Sequence, residues 1–273
     1  MRPEVIRGDA LEILKTLDKE TVQCVVTSPP YWGLRDYGVD KQLGLETSPD
    51  EYVNNLVEIF KEVKRVLRKD GTVWLNLADT YISKELTGIP WRVAFSLKAE
   101  GWNLRSDIIW HKPNTLPESV KDRPSKSHEH VFLLTRSKKY YYDSESIKEP
   151  AKYPDGPSSP KNIKAVENVY SANLQKVGAN PKRNKRSVWT ITNKPYKDAH
   201  FATFPEELPE ICIKAGSKKG DLILDMFAGS GTTLAVAAKL GRRSIGIELN
   251  PEYIKLINKR CGLNNHSLEE YIV

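Results

Sequence analysis

The stretch that decides the fold reads Leu222-Ile223-Leu224-Asp225-Met226-Phe227-Ala228-Gly229-Ser230-Gly231-Thr232-Thr233. Its first four residues form an apolar run ending on a carboxylate, which predicts a buried strand. Glycines then allow a sharp turn that a ligand can approach closely, and a helix is expected over 232–240. A second strand, expected over 244–248, ends on Glu248. This order of strand, glycine turn, helix and strand predicts a nucleoside-binding unit of an α/β protein.

The rest of the chain alternates between strands and helices in the same way. Strands are expected at 22–26, 72–76, 107–110 and 131–135, and helices at 10–17, 91–99 and 206–215. The clearest helix begins at the capping box Ser48-Pro49-Asp50-Glu51 and is expected to end at Asp70-Gly71. We therefore predict an α/β fold with a doubly wound, mostly parallel sheet, whose ligands bind beyond the carboxyl ends of the strands.

Positive charge is concentrated in one irregular segment. Residues 151–198 hold ten lysines and arginines against three acidic residues, an excess that equals the net charge of +7 of the whole chain. The same region is rich in proline, glycine, serine and asparagine, while ordered α/β patterns flank it on both sides. It reads as an insertion that contacts a polyanion, or alternatively as a solvated loop.

Composition narrows the class of protein. No apolar run approaches the ~18 residues of a membrane span, and the N-terminus lacks the apolar core of a signal peptide. Cys24, Cys212 and Cys261 are isolated, which indicates a reducing cytoplasm and neither disulfides nor structural zinc. The only close histidine pair, in His128-Glu129-His130, fits alternation along a strand, so no metal site is expected.

A second motif follows the first buried strand, at Thr27-Ser28-Pro29-Pro30-Tyr31. Two prolines stiffen the backbone and remove its amide donors, so the carbonyls held there can only accept hydrogen bonds. Ser28 adds a hydroxyl, and the Tyr31 ring offers a face on which an extruded base can stack. Acceptors at this turn suit an amino group as the reacting partner.

The glycine turn favours S-adenosylmethionine over NAD. The third glycine of a dinucleotide fingerprint is missing, and no lysine follows the glycines as a P-loop requires. Asp225 is expected to face the ammonium of the ligand, Phe227 to form an aromatic wall, and Glu248 to accept the ribose hydroxyls.

Together the two motifs resemble those of amino-group DNA methyltransferases. Thr27-Ser28-Pro29-Pro30-Tyr31 is similar to their catalytic motif, and its position before the cofactor motif resembles the permuted order of the beta group. Shorter likenesses occur at Gly8-Asp9-Ala10-Leu11, Trp110-His111-Lys112-Pro113-Asn114 and 200–205. The resemblance implies Ser28, Pro29, Pro30 and Tyr31 as catalytic residues. It implies that S-adenosylmethionine is bound by Asp9, Thr27, Phe204, Asp225, Phe227, Ala228, Gly229, Ser230, Gly231, Thr232 and Glu248.

The resemblance also implies a domain organisation and a partner. Residues 1–144 and 199–273 would form a discontinuous catalytic domain, and 145–198 a target recognition insertion. Double-stranded DNA would be the partner, in a restriction-modification system. The expected DNA contacts are Lys112, Lys182, Arg183, Lys185 and Arg186. A homodimer and a cognate restriction endonuclease in the same host are compatible with this interpretation, and the sequence decides neither.

Ser28 bears on which base is methylated. Serine at this position resembles the form common in cytosine N4 enzymes, whereas adenine N6 enzymes more often carry aspartate, and adenine N6 is the alternative. Cytosine C5 chemistry is excluded because no cysteine lies in a Pro-Cys turn. More distant alternatives are an RNA or protein amino-group methyltransferase, an inactive DNA-binding module, and a nicotinamide dehydrogenase.

Overall fold

A computed structural model of the chain describes residues 1–115, 117–151, 182–193 and 204–263. Most of the basic segment lies outside these ranges, as do residues 200–203 of the motif at 200–205. The chain forms two compact units, one made of Met1–Tyr142 with Ser187–Val273 and a smaller one of Asp143–Arg186. The limits of the smaller unit differ from the expected 145 and 198, because a strand at Val188–Thr190 pairs in parallel with the main sheet.

Twelve strands occur in the described residues. They are β1 (Glu4–Arg7), β2 (Val22–Thr27), β3 (Leu67–Leu77), β4 (Tyr81–Ile82), β5 (Glu85–Leu86), β6 (Asn103–His111), β7 (His128–Thr135), β8 (Glu149–Pro150), β9 (Lys182–Arg183), β10 (Val188–Thr190), β11 (Leu222–Asp225) and β12 (Arg243–Glu248). Eight of them form one sheet in the order β1-β12-β11-β2-β3-β7-β6-β10. Only β7 runs antiparallel to its neighbours, so the predicted mostly parallel sheet is confirmed.

Helices flank the sheet in two groups. The helices are α1 (Ala10–Thr16), α2 (Pro49–Val66), α3 (Ile89–Ala99), α4 (Glu207–Gly216), α5 (Thr232–Lys239) and α6 (Pro251–Cys261). Helices α1, α2 and α3 pack in one group, and α4, α5 and α6 in the other. Helices α1 and α2 start at the expected caps. The Asp9 side chain accepts a hydrogen bond from the Glu12 amide, and the Ser48 side chain accepts one from the Glu51 amide. None of the described helices is long and apolar enough to cross a membrane.

One predicted boundary is wrong. Helix α2 ends at Val66, four residues before Asp70-Gly71, and the chain turns directly into β3 at the extended residue Leu67. Gly71 lies inside that strand, where an added Cβ would lie 2.9 Å from the carbonyl oxygen of Gln23. The glycine therefore serves close strand pairing and is not a helix stop.

The sheet topology places the ends of several strands at one edge. All six residues of β2 are buried, so the strand that carries Ser28 at its end is central and rigid. The parallel strands β1, β3, β11 and β12 end at the same edge as β2. Because β7 is antiparallel, its first residues, including Glu129, start at that edge.

Candidate active site

A cleft of about 1180 Å³ opens at this edge of the sheet. The residues that follow β1, β2, β3, β6, β11 and β12 all contribute to its walls, as the rule for ligand sites in α/β sheets leads us to expect. Of the residues predicted to bind the cofactor, those lining it are Asp9, Phe204, Phe227, Ala228, Gly229, Ser230, Thr232 and Glu248. The four predicted catalytic residues line the same cleft. Two motifs almost 200 residues apart in sequence therefore meet in one cavity.

The catalytic turn is held by hydrogen bonds from two neighbouring strands. The Ser28 Oγ lies 3.0 Å from the Tyr31 hydroxyl, which donates to Glu129 Oε2 at 2.7 Å. The Asn76 amide nitrogen lies 2.7 Å from both the Tyr31 hydroxyl and Glu129 Oε2. These contacts join the end of β2 to β3 and to the start of β7.

The carbonyl groups of the two prolines differ in their surroundings. The hydroxyl of Tyr52 donates to the Pro30 carbonyl at 2.8 Å. Within the part of the chain that the structure describes, no residue donates a hydrogen bond to the Pro29 carbonyl. Pro29 is buried and lines the cleft, and a buried carbonyl ordinarily has a hydrogen-bond partner.

Glu129 is a buried carboxylate at the base of this turn, with 8% of its surface exposed. Burial by itself raises the pKa of a carboxyl group, but the Lys112 ammonium and hydrogen bonds from Lys112, Tyr31 and Asn76 outweigh it and hold the pKa of Glu129 below its ordinary value. Glu129 is therefore ionised at neutral pH. Burial and the negative charge of Glu129 raise the pKa of Tyr31 well above its ordinary value, so the phenol is neutral.

Lys112 has a different environment from the one expected. We predicted a DNA contact, but its ammonium forms an ion pair with Glu129 and lies 4.3 Å from the centre of the Trp110 ring. Its side chain is only 16% exposed. The charge of Lys112 thus neutralises a buried carboxylate within the cleft, which is what keeps Glu129 ionised.

The glycine turn positions Glu248 through backbone donors. The Gly229 amide donates to one carboxylate oxygen and the Asn250 amide to the other, both at 2.8 Å. Burial raises the pKa of Glu248 to about 7, although these hydrogen bonds oppose the shift. Gly229 and Gly231 both have positive φ, which favours glycine. A Cβ at Gly229 would lie no closer than 4.0 Å to any neighbour, the Phe227 carbonyl oxygen being the nearest, whereas one at Gly231 would lie 3.0 Å from Ile257.

Three predicted cofactor residues lie behind the turn and do not line the cleft. Asp225 is 1% exposed, and it accepts hydrogen bonds from the Thr27 hydroxyl at 2.8 Å and the Phe227 amide at 3.2 Å. Thr27 is fully buried, and Gly231 packs on Ile257. Burial raises the pKa of Asp225 to about 6, against hydrogen bonds from Thr233, Thr27 and Phe227. Asp225 thus holds the turn, and its expected contact with a ligand ammonium stays a prediction.

The remaining predicted DNA contacts belong to the smaller unit. Strand β9 contains Lys182 and Arg183 and pairs with β8. Glu149 on β8 accepts from Arg183 at 2.8 Å and from Arg186 at 3.4 Å. Lys182 and Arg186 are exposed, and Lys185 is half-buried.

Sequence analysis missed three residues of the site. Asn76 and Glu129 are buried polar residues on β3 and β7, and Arg260 on α6 donates to the Ser230 and Thr232 hydroxyls at 2.8 and 2.6 Å. For Glu129 the signal was present, since alternation in His128-Glu129-His130 puts the carboxylate on the face opposite to both histidines. Asn76 and Arg260 carried no comparable signal.

The cysteines are unsuited to nucleophilic attack. Cys24 and Cys212 are buried, and burial raises the pKa of Cys24 to about 12 and that of Cys212 well above its ordinary value. None of the three cysteines lines the cleft. The prediction against cytosine C5 chemistry agrees with this arrangement, because that reaction needs a thiolate at the base.

The cleft fits S-adenosylmethionine in shape and chemistry. Glu248 offers a half-buried acceptor for ribose hydroxyls, Phe204 and Phe227 offer apolar walls, and Gly229 lets a ligand approach the backbone without a side chain between them. A mostly parallel sheet with this cleft at its carboxyl edge is the arrangement expected of an S-adenosylmethionine-dependent methyltransferase.

The comparisons with known proteins identify the family. The sequence profile of the DNA methylase family, which covers N6 and N4 methyltransferases, matches residues 22–259. The chain is 45% identical to the Type II methyltransferase M.SmaI of Serratia marcescens over 94% of this chain and 90% of that one. It is also 45% identical to the Type II methyltransferase M.Cfr9I of Citrobacter freundii, over 94% and 87% of the two chains.

Two solved structures of DNA methyltransferases resemble the fold of this chain. The cytosine-N4-specific PvuII DNA methyltransferase matches with a TM-score of 0.73 and 24% identity over 97% of this chain and 88% of that one. A DNA modification methylase of Thermus thermophilus in complex with S-adenosyl-L-methionine matches with a TM-score of 0.66 and 25% identity, over 95% and 93%. The chain belongs to the amino-group DNA methyltransferases, in the beta group and of the restriction-modification kind, with S-adenosylmethionine as its cofactor.

Proposed function

We propose that this enzyme transfers a methyl group to the exocyclic N4 of cytosine in double-stranded DNA by direct in-line transfer. The observation that carries the proposal is the pair of acceptors at the cleft, the Ser28 hydroxyl oxygen and the Pro29 carbonyl. A serine at this position distinguishes the turn from the aspartate form common in adenine N6 enzymes. The fold neighbour titled cytosine-N4-specific supports the same base.

The chemical difficulty lies in the amino nitrogen. Its lone pair is delocalised into the base ring, so it is a poor nucleophile until the nitrogen becomes pyramidal. Ser28 and the Pro29 carbonyl accept hydrogen bonds from its two N–H groups and favour that geometry, while the rigid β2 strand holds both acceptors in place. As the new carbon–nitrogen bond forms and the methyl–sulfur bond breaks, the nitrogen gives up one of these two protons to solvent. The bound cofactor supplies an electrophilic methyl carbon on its sulfonium. Because no group of the protein attacks the base, no covalent intermediate between protein and DNA forms.

Access to the amino group requires that the base leaves the duplex. A base inside the stack cannot reach acceptors at the bottom of a cleft, so the target nucleotide is flipped out. The Tyr31 ring lies at the cleft with its hydroxyl anchored by Glu129 and Asn76. We assign to this ring the stacking of the extruded base.

The experiment is to incubate the enzyme with unmodified genomic DNA and methyl-labelled S-adenosylmethionine, digest the DNA, and identify the labelled nucleoside by mass spectrometry. Label in N4-methylcytosine is expected. Label in N6-methyladenine would show that adenine, the second candidate, is the target base, and the amino-group chemistry would be unchanged. A Ser28→Ala variant that methylates at the wild-type rate would contradict the assignment of Ser28.

The basic segment between β7 and α4 is the proposed target recognition region, as its composition of ten basic against three acidic residues favours. Lys182, Arg183, Lys185 and Arg186 are its proposed DNA contacts. A Lys182→Ala/Lys185→Ala variant should weaken DNA binding at low salt and reduce the salt slope of log K by about 2, with unchanged cofactor affinity. An unchanged slope would reject these lysines as phosphate contacts.

A cognate restriction endonuclease in the same host completes the proposal, because the relatives are named Type II methyltransferases. The test is whether host DNA carrying the modification resists an endonuclease activity in extracts of the same cells. Sedimentation of the purified chain with and without DNA decides whether it acts as a homodimer.

A further inference from the structure

The hydrogen bonds around Tyr31 have a direction that the residue types impose. A serine hydroxyl and a tyrosine hydroxyl each own one proton, and an ionised carboxylate owns none. Glu129 Oε2 lies 2.7 Å from the Tyr31 oxygen, and two oxygens at that distance need a proton between them. Since Glu129 is ionised, Tyr31 must supply that proton.

Asn76 obeys the same constraint. Its amide nitrogen, and not its oxygen, must face Glu129 Oε2, because the carboxylate can only accept. The amide therefore donates into the cluster and lies 2.7 Å from the Tyr31 oxygen and 3.3 Å from Ser28 Oγ. Asn76 is 2% exposed, so the orientation of its amide is fixed inside the protein.

The direction at Ser28 follows from these two steps. The Tyr31 hydroxyl donates its one hydrogen bond to Glu129 and accepts a hydrogen bond from Asn76. At its 3.0 Å contact with Ser28, Tyr31 can therefore only accept. The Ser28 proton then points to Tyr31, the Asn76 amide takes up one lone pair of Ser28 Oγ at 3.3 Å, and the other lone pair remains for the cleft. With the opposite direction, the Ser28 proton would point into the cleft and oppose the protons of a bound amino group.

We propose that Glu129 is a positioning residue that acts through Tyr31 to make Ser28 a pure hydrogen-bond acceptor toward the target amino group. An aspartate at position 28 would be ionised and would act as an acceptor by itself. A serine acts only as an acceptor if a neighbouring group accepts the hydrogen bond that its hydroxyl donates. Glu129 makes the Tyr31 oxygen that acceptor, because it takes the hydrogen bond that Tyr31 donates, and Lys112 keeps Glu129 ionised through the ion pair at the other carboxylate oxygen. The inference rests on the proposed role of Ser28.

Glu129→Gln is the decisive variant because Lys112 fixes which way the new amide turns. The Lys112 ammonium can only donate, so it will hold the amide oxygen, and the NH2 group will face Tyr31. That reverses the chain of hydrogen bonds and turns the Ser28 proton toward the substrate. We expect kcat to fall by roughly tenfold or more, with little change in KM for DNA or in Kd for S-adenosylmethionine.

Glu129→Asp separates polarity from shape. Glutamine matches glutamate in size, while aspartate is one methylene shorter but keeps an acceptor. If direction matters, the aspartate variant retains more activity than the glutamine variant. If Glu129 only fills space, the order is reversed, and that result would overturn the inference.

A double-mutant cycle tests the route through Tyr31. Tyr31→Phe alone should lower kcat without changing cofactor affinity, and in that background Glu129→Gln should cost less than about threefold, because the link to Ser28 is already cut. Additive effects would overturn the inference, as would a Tyr31→Phe enzyme with wild-type kcat. The single tyrosine variant decides the matter even if Glu129→Gln fails to fold.

Glu210→Gln is the matched control, since Glu210 pairs with Lys214 on α4 and does not line the cleft. It should behave as wild type in all three measurements. The failure modes are distinct, because an active Ser28→Ala variant contradicts the proposed function. An inactive Ser28→Ala variant together with a fully active Glu129→Gln variant contradicts only this inference.

Discussion

The hydroxyl of Thr27 donates a 2.8 Å hydrogen bond to the carboxylate of Asp225. Thr27 is the last residue of β2 and Asp225 the last residue of β11, and these strands are neighbours in the sheet. The catalytic turn begins at the next residue of one strand and the cofactor turn at the next residue of the other. This buried hydrogen bond therefore links the two halves of the active site, in addition to the pairing of the two strands.

Removing this donor should lower the stability of the fold. Thr27→Val keeps the shape and leaves a buried carboxylate short of one partner, so we expect a loss of about 1–3 kcal/mol in the free energy of unfolding at pH 8. The folded-state pKa of Asp225, about 6, already lies above its ordinary value of 3.8, and removal of the Thr27 hydrogen bond should raise it further. The loss in the free energy of unfolding should therefore be smaller at pH 5, where Asp225 is protonated, than at pH 8. Urea unfolding at the two pH values measures the difference. Thr21→Val, at an exposed threonine, is the control.

Alanine substitutions at the two glycines of the cofactor turn should have different effects. Gly229→Ala places a methyl group in the open cleft, so it should weaken binding of S-adenosylmethionine more than it lowers stability. Gly231→Ala pushes against Ile257 at 3.0 Å and should mainly destabilise the fold. Both lose about 1 kcal/mol from positive φ, which makes each a control for the other. Calorimetric titration and thermal unfolding of the pair are the measurements, and identical profiles would contradict this division.

Much of the fold and the cleft could be predicted because local signals agreed. The strand and glycine turn at Asp225–Gly231, the Pro29-Pro30 turn and the caps at Asp9 and Ser48 each depend on neighbours in sequence. The prediction failed where a distant partner decides the outcome. The sequence alone predicts a helix end at Asp70-Gly71, because the contact of Gly71 with Gln23 comes from a distant strand. It likewise predicts an exposed Lys112, because the partner Glu129 lies on another strand. Ligand contact was assigned to Asp225 by motif, whereas its burial depends on the neighbouring strand β2.

Cofactor affinity should depend on pH through Glu248. Only the ionised carboxylate accepts two ribose hydroxyls, and burial raises its pKa to about 7. Binding therefore releases a proton below that pH, so affinity should rise as pH increases from 5 to about 7 and level off above it. Glu248→Gln should weaken binding more at pH 8 than at pH 5.5 and flatten the profile. Because Asp225 titrates near 6, an unflattened profile in the variant would move the dependence from Glu248 to Asp225.

Arg260 should stabilise the cofactor turn from behind. Its guanidinium donates to the Ser230 and Thr232 hydroxyls at 2.8 and 2.6 Å and to the Ser230 carbonyl at 3.3 Å. Loss of these contacts frees the segment whose Gly229 amide holds Glu248, so Arg260→Met should weaken S-adenosylmethionine binding by about tenfold, the effect of roughly 1–2 kcal/mol. Lys255→Met on the same helix, at an exposed pair with Glu252, is the matched control and should bind as wild type. If both variants bind equally well, the turn holds its shape through its own glycines and does not need the arginine.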